Sequence, residues 1–144
     1  MKVYFDTTAL VAACVELHPH YNQSIRALQS AREKTLEGHI SGHALAESYS
    51  VLTRTPFRPP IYPGLAWKIL QEDILPYFEI VTITPQMYQE TIRDCADHGW
   101  IGGRVHDANH LRCARELECE RIYTFSVRHF QQLAPDLAQR IGAP

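Results

Sequence analysis

Three acids stand in contexts that can deliver a carboxylate to a shared site. Asp6 closes the apolar run V-Y-F and is followed at once by Thr7, Thr8, Ala9 and Leu10; a strand that hands a carboxylate to a strand-to-helix turn is a common start for a metal or phosphoryl site. Glu47 lies in the helix-patterned segment H-A-L-A-E-S-Y-S-V-L-T-R, and Asp107 in G-G-R-V-H-D-A-N-H-L. Each has an ordinary alternative: Asp6 caps a helix, Glu47 faces solvent, and Asp107 pairs with Arg104 or a histidine. Gathered together they repel one another and raise their own pKa values, and a divalent cation relieves that penalty. Magnesium suits such a set, because it takes a few carboxylates and keeps several waters.

The neighbours of these acids divide between the same chemistry and plainer roles. Thr8, two residues after Asp6, either orients a metal-bound water or caps the following helix. Arg104 stands one turn before Asp107 on a segment that also carries Arg112 and Arg115. A solvated face accounts for cations of this kind in general; Arg104, nearest the acids, and Arg112 are the candidates for phosphate contact. His106 and His110 have the i, i+4 spacing that holds zinc on a helix, but no third ligand is placed beside them except Asp107, which points elsewhere. The remaining histidines read as surface or loop residues. Cys14, Cys95, Cys113 and Cys119 are scattered without a paired motif and read as reduced packing residues.

The elements that must position these groups alternate between strand and helix. Lys2 to Phe5 is a short β-rich run, and a helix from about Thr8 to Val15 follows. Tyr21, Ile25 and Leu28 fall at helical spacing, and so do Leu45, Tyr49 and Leu52 after the Gly-bounded segment Gly38 to Gly42. Prolines between Thr55 and Pro60 make a loop before a helix from about Gly64 to Ile74. Phe78 to Ile83 alternates as a strand, and Thr84-Pro85 opens a helix whose apolar stripe is Tyr88, Ile92 and Cys95. Helix Arg104 to Leu117, strand Arg121 to Phe125 and helix Val127 to Leu133 complete the pattern, with the tail from Pro135 to Pro144 a short helix or loose coil. Strands separated by helices imply a parallel sheet covered on both faces.

The chain has 144 residues, 45% apolar and 21% charged, and a formal net charge of −2. This length fits one domain spanning residues 1–144 with a substantial core, and the composition excludes disordered and fibrous classes. The charge argues against nucleic-acid binding through a wholly basic surface, while allowing a local basic rim. No apolar run approaches the roughly 18 residues of a membrane span, and Met1-Lys2 leads straight into a strand, so a cytoplasmic location is expected.

Four pieces in order resemble the PIN-domain nucleases, specifically the VapC-type toxins of toxin-antitoxin pairs: V-Y-F-D-T-T-A-L, the Glu47 helix ending in L-T-R, G-G-R-V-H-D-A-N-H-L, and I-Y-T-F-S-V-R-H-F. The resemblance implies a three-layer α/β/α PIN-like domain with a central parallel sheet of four or five strands. It implies a magnesium-dependent endoribonuclease (manganese a substitute) in which Asp6, Glu47 and Asp107 are the catalytic metal ligands and Thr8 and Ser126 support them. It further implies an RNA substrate, a cognate antitoxin and a homodimer. The stretch Pro56 to Leu75 is the expected dimer or antitoxin surface, with Trp67 and Phe57 open to base stacking, whereas Tyr21, Tyr49 and Tyr88 fall on apolar stripes and read as core. One departure stands out, because Ser126 occupies a position that usually carries Asp or Asn, which leaves the number of ions open and sustains the alternative of a PIN fold that only binds. A dehalogenase-like phosphoryl protein also places Asp after its first strand, but it needs a second Asp where this chain has Thr8.

Overall fold

A computed structural model describes all residues from Met1 to Pro144. Five parallel strands form one sheet in the order β3-β2-β1-β4-β5, where β1 is Lys2–Phe5, β2 Glu37–Ser41, β3 Phe78–Val81, β4 Arg121–Tyr123 and β5 Ile141–Gly142. The helices are α1 Thr7–Cys14, α2 Tyr21–Arg32, α3 Gly42–Arg54, α4 Pro63–Ile69, α5 Pro85–His98, α6 Arg104–Glu116 and α7 Val127–Leu133. A π turn, Leu70–Ile74, extends α4, and a 3-10 turn, Pro135–Arg140, precedes β5.

The central strand β1 is buried on both faces, and its alternation assigns each side chain to a layer. Val3 and Phe5 point into a core built with α1 to α4, and Tyr4 into a second core with α6, α7 and Ile141. Phe5 meets Phe78 edge-on at 4.9 Å and Tyr123 at 5.1 Å, locking three strands on one face. Gly38 is required in β2, since a Cβ there would stand 2.7 Å from the Phe78 ring.

From β1 the chain winds outward through β2 to β3, then returns to place β4 on the other side of β1. The strand order therefore reverses between β1 and β4, and their carboxyl ends bound the crevice where open α/β sheets hold ligands. Two strands run into helices through a one-residue cap: Asp6 accepts from the Ala9 amide, and Ser41 accepts from the Ala44 amide.

Several expectations are corrected. The tail from Pro135 begins as the expected short helix, of 3-10 type, but ends in an edge strand paired with β4 and not in coil, because Ile141 is drawn into the second core. On α5 only Cys95 of the expected stripe is buried; Tyr88 and Ile92 are exposed, since this outer helix meets α6 through Thr91 and Cys95 instead. Tyr49 likewise lies exposed on α3, while Leu52 reaches the core. β3 ends at Val81, two residues short of the expected run.

Candidate active site

Asp6 sits at the carboxyl end of β1, 3% exposed, with its carboxylate enclosed by donors. Oδ1 accepts from the Thr8 hydroxyl at 2.6 Å and the Ala9 amide at 2.9 Å, and Oδ2 accepts from the Thr124 hydroxyl at 2.6 Å. Both hydroxyls are fixed in turn by the turn after β4: the Phe125 amide donates to Thr8 Oγ1, and the Ser126 amide donates to Thr124 Oγ1, each at 2.9 Å. Two backbone amides thus orient two threonines, which orient one carboxylate. With two bonds on Oδ1 and one on Oδ2, the free lone pair belongs to Oδ2.

Asp107 lies in the first turn of α6 and Glu47 in the second turn of α3. The Asp6 carboxyl is raised to about 6, chiefly by burial and further by the negative charge of Asp107, against the lowering effect of its three hydrogen bonds. Burial also raises Asp107, Glu47 adds to the rise, and His129, His106 and Arg104 oppose it. The three acids are electrostatic neighbours, as a cation site requires.

They are not a finished cage. No three His, Cys, Asp or Glu side chains are close enough to enclose an ion as they stand, and Glu47 Oε2 is held 2.8 Å from His43 Nε2. The donor chemistry nevertheless fits a hard divalent cation: oxygen ligands from separate elements, an open lone pair on Asp6, and unrelieved repulsion between carboxylates. A cation reaching Glu47 would have to displace His43 from this contact.

The PIN domain family model matches residues 3–134, nearly the whole chain. The chain belongs to the PIN domain family. Among curated relatives, Ribonuclease VapC40 of Mycobacterium tuberculosis is 29% identical over 103 residues, 72% of this chain and 71% of that protein. Of solved structures, Mycobacterium tuberculosis VapC20, a sarcin-ricin loop cleaving toxin, superposes with a TM-score of 0.70 at 14% identity over 88% of this chain and 92% of that one. VapBC2 from Rickettsia felis, bound to a DNA fragment from its promoter, does so with a TM-score of 0.69 at 18% identity over 99% and 98%. At these identities the structural likeness speaks for the fold.

This PIN domain separates the sequence candidates into two groups. Asp6, Thr8 and the Ser126 amide are joined by hydrogen bonds through the turn after β4, Glu47 and Arg104 couple electrostatically to Asp107, and Thr8 does more than cap or hold water, since it bonds Asp6 directly. Ser126 precedes α7, and its side chain makes no capping bond. Arg112 is a correction: its guanidinium reaches across to α5, 2.5 Å from Asp94 and 3.4 Å from Glu90, so it ties two helices together and is not free for a phosphate.

The PIN domain also gathers histidines that sequence spacing did not bring together. His43 stacks on His106 with centroids 4.9 Å apart and planes 9° from parallel, so it is a site neighbour and not a loop residue. His110 is buried, 2.7 Å from the Tyr4 hydroxyl, and burial with His43 and His106 nearby pushes it down to about 3. His110 is thus engaged at Nδ1 by Tyr4, and His106 by its stack on His43. Thr124 was missed altogether; its signal was a hydroxyl at the end of the fourth strand, two residues before Ser126. His43 was readable as the i, i+4 partner of Glu47.

Proposed function

We propose that this PIN domain is a divalent-metal-dependent endoribonuclease, with magnesium or manganese as its ion, acting as the toxin of a toxin-antitoxin pair. What supports this reading is that Asp6, at the carboxyl end of β1 with donors on both oxygens, feels the charge of Asp107, which in turn feels that of Glu47. The ribonuclease relative VapC40 supports RNA as the substrate, and the VapBC2 neighbour supports an antitoxin partner. Tyr62, Leu65 and Trp67 leave an exposed apolar face on and beside α4 that suits such a partner or a second copy.

Asp6, Glu47 and Asp107 would hold the ion, and a bound divalent cation supplies an activated water and charge neutralisation at a phosphoryl group. The protein contributes order. Thr8 and Thr124 hold the Asp6 carboxylate in place, leaving Oδ2 with one lone pair that no protein donor fills. Arg104 and His129, both exposed beside Asp107, draw a phosphodiester toward the acids. Ser126 offers a neutral oxygen where an acid is usual, so the site carries three negative charges and not four.

Purified protein with manganese or magnesium should cut RNA, and chelation should stop it. Asp6→Asn and Asp107→Asn should each lower the rate by at least about a hundredfold, in the range expected for removing one positioned catalytic group. RNA left intact by the wild type under both metals would instead support a PIN fold that only binds, the alternative that Ser126 sustains.

A further inference from the structure

A groove of about 390 Å³ opens beside the acids, between α1, α3 and the turn after β4. Thr8 and Glu47 border it at the catalytic end, Val11, Val51 and Phe125 supply apolar lining, and Arg54 contributes a cation. Arg54 follows Glu47 by seven residues on α3, about 10 Å along the axis and on the same face. Thr7 also lines the groove, and its buried hydroxyl has no hydrogen-bond partner within the chain. His20 stacks on the Phe125 ring at 4.3 Å and 11°, extending an aromatic surface at this edge.

We infer that this groove is a nucleotide subsite, taking an unstacked base next to the scissile phosphate of single-stranded RNA. The inference rests on the ribonuclease reading and adds a determinant of where the chain is cut. A nucleotide offers a flat apolar face, a polar base edge and a phosphate, and the groove offers an aromatic surface with two valines, an unpartnered hydroxyl and an arginine. A pocket of this volume matches a single small ligand, whereas a duplex keeps its bases stacked and out of reach. The site is also mechanically joined to the catalytic centre: the Phe125 amide donates to Thr8, and the Thr8 hydroxyl donates to Asp6. A base resting on Phe125 therefore sets the register of the adjoining phosphate against Asp6.

The test is titration of the whole protein with each of the four nucleoside 5′-monophosphates, following the methyl resonances of Val11 and Val51, with inorganic phosphate as the control. At least one nucleotide should shift both methyls beyond the control, and Val51→Trp, by filling the groove and keeping the base off Phe125, should weaken that binding at least about tenfold. Arg54→Gln, on an exposed residue that leaves packing intact, should weaken it too; Thr7→Val keeps the shape and tests the hydroxyl if Val51→Trp does not fold. End-sequencing of a cleaved random single-stranded RNA pool should show a base bias beside the cut that Val51→Trp flattens. Methyls unmoved by all four nucleotides, a bias unchanged in Val51→Trp, or shifts caused only by an apolar peptide would overturn the subsite. Asp107→Asn separates the two readings: it should abolish cleavage and retain nucleotide binding, and cleavage that survives it defeats the nuclease while the methyl shifts still judge the groove.

Discussion

Asp6 holds its charge against its own surroundings. Its folded value of about 6 lies above the ordinary 3.8, with burial the main cause, so the folded protein binds this proton more tightly than the unfolded chain does. Stability of the metal-free protein therefore falls as pH rises from about 3.8 to about 6 and stays reduced above that, by an amount of order 3 kcal/mol. Asn at this position keeps the capping oxygen without the charge. Asp6→Asn should stabilise the chelated protein at pH 7.5 by up to about 3 kcal/mol in urea unfolding, and the two stabilities should converge below pH 4. Manganese should stabilise the wild type and not the variant, which thermal melts with and without the ion will show. Thr124→Val removes the donor to Oδ2 and the acceptor of the Ser126 amide. It should cost about 1–3 kcal/mol in urea unfolding and move the Asp6 transition to higher pH.

At the scale of elements, the site depends on how closely β2 lies beside β3 and α2. A Cβ at Gly38 would meet the Phe78 ring at 2.7 Å and the Ala31 methyl at 3.4 Å. Phe78 in turn holds Phe5, the residue before Asp6. Gly38→Ala should lower stability by about 1–3 kcal/mol, read as a drop in the urea midpoint at unchanged slope. Ion pairs act at this scale too: Arg112 joins α6 to α5, and Arg32 reaches Asp73 at 2.7 Å to join α2 to the π turn after α4. Their side chains are partly exposed, so they orient elements more than they stabilise the fold.

Across the whole molecule, the last strand reaches the first acid. Ile141 fills the second core, and the Thr124 amide donates to the Gly142 carbonyl at 3.0 Å, which anchors the residue whose hydroxyl holds Asp6. Ile141→Ala should destabilise by about 2–4 kcal/mol in denaturant. It should also slow RNA cleavage at temperatures where the protein is still folded, though it lies outside the crevice. With a net charge of −2, any attraction for the proposed RNA substrate falls to local cations such as Arg54 and Arg104.

The acids Asp6, Glu47 and Asp107 could be nominated from sequence because three short segments, a strand running into a cap, a helix ending in L-T-R and a glycine-rich entry to a helix, follow one another in the order of the PIN family. Strand and helix alternation by itself determined a parallel α/β/α fold, since period and connection length are properties of contiguous residues. What was hidden depends on residues far apart in the chain. Thr124 meets Asp6 across 118 positions only because β4 pairs with β1 in one register; His43 meets His106 only because the first turns of α3 and α6 come together. Arg112 looked free until α5 supplied its two carboxylates, and the tail became a strand only when Ile141 had a core to enter. Sequence determined which groups could act, because their types and local settings are chemical facts of the chain. Tertiary structure decided which of them share a lone pair, a proton or a wall, because those contacts exist only once distant segments are packed.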